Sequence, residues 1–149
     1  MTDILNQDDF ALSFSEEVDE GLTAKIQSVF PDTTAAELKA FAANVLIGHI
    51  PARKLNECVG DTFELCGFYV KDVMLVAGNQ KRNGKYTVLF GHCGKEPRAY
   101  ATTSDKIYEA LSKIIAVYGS ASDWKQGIPV RIRVNTLESG NKTYSLEVI

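Results

Sequence analysis

Residues 78 to 86 read G-N-Q-K-R-N-G-K-Y, between the apolar, strand-like runs FELCGFYVKDVMLV and YTVLF. A turn joining two strands needs only its glycine and asparagine. Lys81, Arg82 and Lys85 are surplus to that task, and Tyr86 follows them directly. Cations that track phosphates, beside rings that stack on unpaired bases, hold single-stranded nucleic acid at about 1–3 kcal/mol per stacked base. Both residue types recur along the chain: Tyr69 and Lys71, Arg98 and Tyr100, Arg131 and Arg133, and Lys142. Together these residues make a candidate nucleic-acid site. The bland alternatives stay open. Lys81, Arg82 and Lys85 also suit a solubilised hairpin tip, and Arg131 and Arg133 suit a wet strand face paired with Glu147. Tyr86, Val88 and Phe90 share one face and read as core, while Phe68 and Tyr69 point opposite ways, so one of them is outside.

Bond-making chemistry is not expected. Cys58-x7-Cys66 and His92-Cys93 lack the C-x2-C or H-x3-H spacing that makes zinc ligands converge. No P-loop and no G-x-G-x-x-G occurs, and the adjacent acids near the N-terminus lack a scaffold to pose them as acid and base. The reading is a protein that is not an enzyme and needs no cofactor. Three cysteines without a secretory signal argue against a disulfide framework and for a cytoplasmic setting, and no apolar run is long enough to span a membrane.

The elements that would position these residues follow from periodicity. Thr62–Val76 is a long strand with Gly67 inside it, where a bulge or bend is expected. A loop over 77–84 leads to a second strand, Tyr86–Phe90, which Gly91 and Gly94 break. Pro97–Thr102 is a third strand. Ser104 caps a helix whose face is Ile107, Leu111, Ile114, Ile115 and Tyr118, stopped by Gly119. Ile128–Val134 alternates strictly, 137–142 is a turn, and Thr143–Ile149 alternates again. Trp124 reads as a plug for one end of the assembly. This β-β-β-α-β-β order is that of an OB-fold, a small five-stranded barrel over residues 51–149. In such barrels ligands cross strands two and three, gated by the loops after strands one and four, where the surplus cations fall.

Charge divides the chain. Residues 1–50 carry nine acids and two bases, a net of −7, and residues 51–149 carry 14 bases and 10 acids, a net of +4. An acidic total therefore conceals a basic part able to meet a polyanion. Residues 1–20, with seven acids and no base, read as a flexible arm able to recruit replication proteins or to occupy a basic groove. Residues 21–50 read as a helical hairpin packed on the barrel. Its first helix runs through Leu22, Ile26, Val29 and Phe30, and its second is opened by a Thr34…Glu37 capping box and ended by Gly48.

The pattern from Lys54 onward resembles small phage-encoded single-stranded-DNA-binding proteins of phages of Gram-positive bacteria. The similar stretches are KLNECVGDTFELCGFYV, YTVLF, YATTS running into a helix that ends Y-G, and WKQGIPVRIRV, within roughly the last two thirds of the chain. The resemblance implies an OB-fold that coats single-stranded DNA during phage replication or recombination. A different class is also compatible with the residues: a protein-interaction module, homo-oligomeric through the alanine-rich second helix (Ala35, Ala36, Ala40, Ala43).

Overall fold

The computed structural model describes residues 11–18, 32–119, 124 and 127–149, with side chains from residue 37 onward. The chain order is β1 (Ala11–Val18), α1 (Asp32–Ile47), β2 (Arg53–Lys54), a 3-10 turn (Leu55–Glu57), β3 (Thr62–Ala77), β4 (Gln80–Cys93), β5 (Glu96–Thr102), α2 (Asp105–Tyr118), β6 (Ile128–Thr136) and β7 (Lys142–Val148). The protein is mainly β. Six strands curl into a half-barrel in the order β2-β5-β4-β3-β6-β7, and β1 joins as a seventh strand beside β3. The five expected strands are present as β3 to β7, and the two additional strands come from sequence N-terminal to them. No helix among the described residues is long and apolar enough to cross a membrane.

β3 organises the sheet. Its first residues, Thr62–Leu65, pair with β6, its last, Lys71–Val76, pair with β1, and β4 runs along its other edge. Aromatic and β-branched residues fill it, as a pleated, half-buried surface favours. The expected bend is a bulge: Leu65 faces Gly91 and Gly67 faces Phe90, leaving Cys66 as the extra residue. One added residue shifts the inward parity, so Phe63 and Leu65 before it, and Phe68 and Val70 after it, enter the same core.

That core lies between the concave side of the sheet and α2. Ile107, Leu111 and Ile114 of the helix meet Leu89, Ile132 and Trp124 there. Ser104 caps α2, its Oγ accepting from the Ile107 amide at 3.4 Å, and Gly119 ends it at φ 84°. Trp124 is 2% exposed, lies 6.1 Å from the Phe68 ring and donates its indole N–H to the Gly119 carbonyl at 2.9 Å. A second cluster, Ala42, Val88, Phe90 and Ala99 with Phe41 and Val45, sits on the convex side, where α1 packs.

Several expectations change. The loop over 77–84 is largely strand: β3 and β4 pair down to Ala77–Gln80, and only Gly78 and Asn79 turn the chain. Gly78 has φ 59° and Asn79 does not share it, the pattern of a type II′ hairpin turn, which matches strand twist. Gly91 does not break β4, which continues to Cys93; Gly94, at φ 61°, does. α1 starts at Asp32, so Thr34 lies inside its first turn rather than capping it. Residues 11–18 of the acidic arm are strand β1, because β3 outruns β6 and leaves an edge to be filled. The helix expected through Leu22–Phe30 lies outside the described residues.

Candidate nucleic-acid interface

Three of the predicted residues meet on the convex face. On β3, Tyr69 and Lys71 follow the outward parity set by the bulge, and on β4 Tyr86 lies directly opposite Lys71 while Val88 lies opposite Tyr69. The C-terminal end of α1 supplies a wall, Val45 and Leu46, and the result is a groove of about 310 Å³ open to solvent. Its floor is aromatic and its lip is cationic. Burial pushes the Tyr86 hydroxyl up from its ordinary pKa, and the neighbouring Tyr69 adds to that. The Tyr86 hydroxyl therefore stays a neutral hydrogen-bond donor at physiological pH. Arg131 and Arg133 share the convex parity further along the sheet, since Arg131 pairs with the outward-facing Thr62. They converge on one carboxylate, Glu147, at 3.3 and 3.1 Å, so two guanidiniums and one acid leave a net positive charge.

The cations of the opening stretch are placed differently. Lys81 is exposed on β4. Arg82 reaches the first turn of α2, Nη1 to the Asp105 carboxylate at 3.0 Å. Lys85 points to the concave side, pairing with Asp72 and lying 5.5 Å over the Tyr108 ring. The adjoining cleft, about 780 Å³, also holds Asp72, Asp105 and Glu109, an acidic lining that repels phosphate. Arg82, through its pair with Asp105, and Lys85, through the Tyr108 ring, fasten the β3–β4 hairpin to α2, the partly exposed ion pair contributing about 0–1 kcal/mol. Lys142 is exposed at the start of β7. Register separates it from them: β3 pairs with Arg131 at its Thr62 end, from where β6 runs on to the last turn, and with Gln80 at its Ala77 end.

Tyr100 and Arg98 are also displaced from the expected site. Tyr100 is fully buried, its ring 4.6 Å from Phe63, on the concave side opposite Leu89. It cannot stack on a base without opening the core. Its hydroxyl donates to the Asp61 carboxylate at 3.0 Å and accepts from Arg98 at 3.1 Å. Arg98 further pairs with Glu96 at 2.8 Å and Asp61 at 3.5 Å. Burial pushes the Tyr100 hydroxyl up to about 12, Arg98 opposing and Asp61 adding to the shift. A raised pKa means that stability is intact below pH 10 and is lost as pH rises from 10 through 12. Tyr100→Phe is expected to cost about 1–2 kcal/mol in urea unfolding and to remove that alkaline loss, with oligonucleotide affinity unchanged. A large affinity loss on this substitution would return Tyr100 to the interface.

Sequence reasoning missed Val45 and Leu46 as groove walls. The apolar stripe of this helix was legible, but the face it covers was not, because nothing local to residues 38–46 states which side of the sheet they meet. The thiols of Cys58, Cys66 and Cys93 are free. Burial, with Glu64 adding, pushes Cys66 up to about 12, so it is an inert core group. Among the described residues no three His, Cys, Asp or Glu side chains are grouped to hold a metal ion. No family model, no curated protein and no solved structure matches the chain.

Proposed function

We propose that this protein binds single-stranded nucleic acid, DNA by the resemblance noted above, in a sequence-tolerant manner through the Tyr69–Lys71–Tyr86 groove. The observation that carries the reading is the meeting of two rings and a cation from two strands in one open cleft. A base stacks on the tyrosines while its phosphate meets Lys71, and the Arg131–Arg133 pair offers a further phosphate contact on the same face. The underlying architecture is read as an OB-fold whose first barrel strand, β3, pairs with both the second, β4, and the fourth, β6. The role is that of a strand-coating protein in phage replication or recombination.

Titration with oligo-dT over a salt series tests this. Neutralising three phosphates predicts a log–log slope of about −2. Quenching is expected in tyrosine emission and not in Trp124, which is buried and hydrogen-bonded inside. A flat salt response, or no binding at low salt, would overturn the reading. A second reading, self-association through α1, draws on Leu46 and Ile47, which are 40% and 68% exposed. Sedimentation without oligonucleotide separates it from the first.

A further inference from the structure

The two ends of the six-strand order are finished differently. At one end β2 lies against β5. At the other the order stops at β7, with no strand beyond it among the described residues. The Ile149 amide donates to the Pro129 carbonyl at 2.9 Å, which extends the β6–β7 ladder by one pair. Hydrogen-bonded pairs alternate along an antiparallel ladder. Thr143, Ser145 and Glu147 therefore turn their backbone groups to β6, and the alternate residues from Lys142 to Val148 turn theirs to the outer edge. Edge strands are ordinarily guarded against pairing by a proline, a bulge or a well-placed charge. β7 has no proline, keeps unbroken register with β6, and carries no charge from Thr143 to Leu146.

We infer that the outer edge of β7 pairs antiparallel with β7 of a second copy of this chain, about a two-fold axis at Ser145. The strand fits itself. In the register that overlaps all 7 residues, Tyr144 meets the partner's Leu146, Thr143 meets the partner's Glu147 and Ser145 meets the partner's Ser145. Lys142 and Glu147, the two charges of the strand, face Val148 and Thr143, so no like charges oppose each other. Tyr144 and Leu146 pack against the concave core, which the joint would extend from one copy to the next. Ser145 lies opposite Arg133 on the convex side, so the joined sheet places the Arg131–Arg133–Glu147 clusters of both copies on one face. This surface is distinct from α1, and the pairing does not depend on nucleic acid.

Sedimentation equilibrium and a cross-link test this on the full chain, both without oligonucleotide. The parent is expected to be a dimer. Ser145→Asp is expected to weaken it by about 10-fold, because two carboxylates then oppose each other at the axis, while Arg133 accepts the new acid within each fold. Ser145→Cys in a Cys93→Ser background, which removes the exposed native thiol, is expected to form a covalent dimer on mild oxidation. Directly opposed residues of a non-hydrogen-bonded pair lie about 4.5 Å apart at Cα, within disulfide reach. Glu147→Cys in the same background is expected not to cross-link, because the two thiols would lie about 13 Å apart along the strands. A parent that sediments as a monomer, or Glu147→Cys cross-linking as readily as Ser145→Cys, overturns the pairing and leaves the groove reading standing. A dimer that Ser145→Asp leaves intact and Leu46→Lys dissolves belongs to α1 and overturns it as well. If Ser145→Asp fails to fold by circular dichroism, the cross-link comparison decides.

Discussion

Gly91→Ala is expected to leave the protein largely unfolded. A Cβ on residue 91 would lie 2.0 Å from the Glu64 carbonyl oxygen, and 2.9 Å from both the Glu64 carbonyl carbon and the Phe63 ring. Two of these atoms are backbone of the paired strand, so no side-chain rotation relieves the clash. Relief requires β3 and β4 to part where the Cys66 bulge bends the sheet, which would also undo the pairing of Thr62–Leu65 with β6. The cost is expected to exceed about 4 kcal/mol, a large share of the 5–15 kcal/mol that holds a typical domain folded. Circular dichroism with urea unfolding measures it. Gly94→Ala is the control, since open space surrounds that position and only its φ of 61° penalises a side chain, at about 1 kcal/mol. A Gly91→Ala protein as stable as the Gly94→Ala protein would show that the strands do not approach as described.

Tyr69→Leu combined with Lys71→Gln is expected to weaken oligo-dT binding by about 10- to 100-fold at low salt. Losing one stacked ring removes about 1–3 kcal/mol, and 1.4 kcal/mol is a factor of ten. Losing one phosphate contact lowers the salt slope by about 0.7. Leucine keeps apolar bulk against Val88 and Phe90, so the fold survives and the loss is read as binding. The pattern across variants discriminates more sharply than any one value. Tyr69 and Lys71 should control affinity, while Lys85, committed to Asp72 and Tyr108, should affect chiefly how the hairpin is fastened to α2. Lys85→Gln weakening binding more than Lys71→Gln would move the interface to the concave side.

Much of the architecture was legible residue by residue. The alternation of Val130, Ile132 and Val134, the Ser104 cap and the α2 stripe each encode an element within a few residues, and each forms as read. The glycine-marked bend in β3 was visible too, because a small residue inside a long β-branched run has few other uses. Local pattern alone therefore determined the five strands β3 to β7, the helix between β5 and β6, and the presence of surplus cations and rings, but neither β1 nor β2. It did not determine where the glycine-rich turn ended, since G-N and N-G in 78–84 both satisfy hairpin chemistry, and pairing chose the first.

Tertiary structure decided what those cations and rings are for. Tyr100 and Tyr69 are equivalent as sequence, yet one is sealed under Phe63 and the other opens onto a groove, because strand parity and the Cys66 bulge send them to opposite faces. Arg82 and Lys85 read as free hairpin cations in the sequence, yet they meet carboxylates on Asp105 and Asp72 that only folding brings within reach. The physical reason is range. Propensity and periodicity act over a handful of neighbours, whereas burial and ion pairing depend on partners tens of residues away, which no local pattern names.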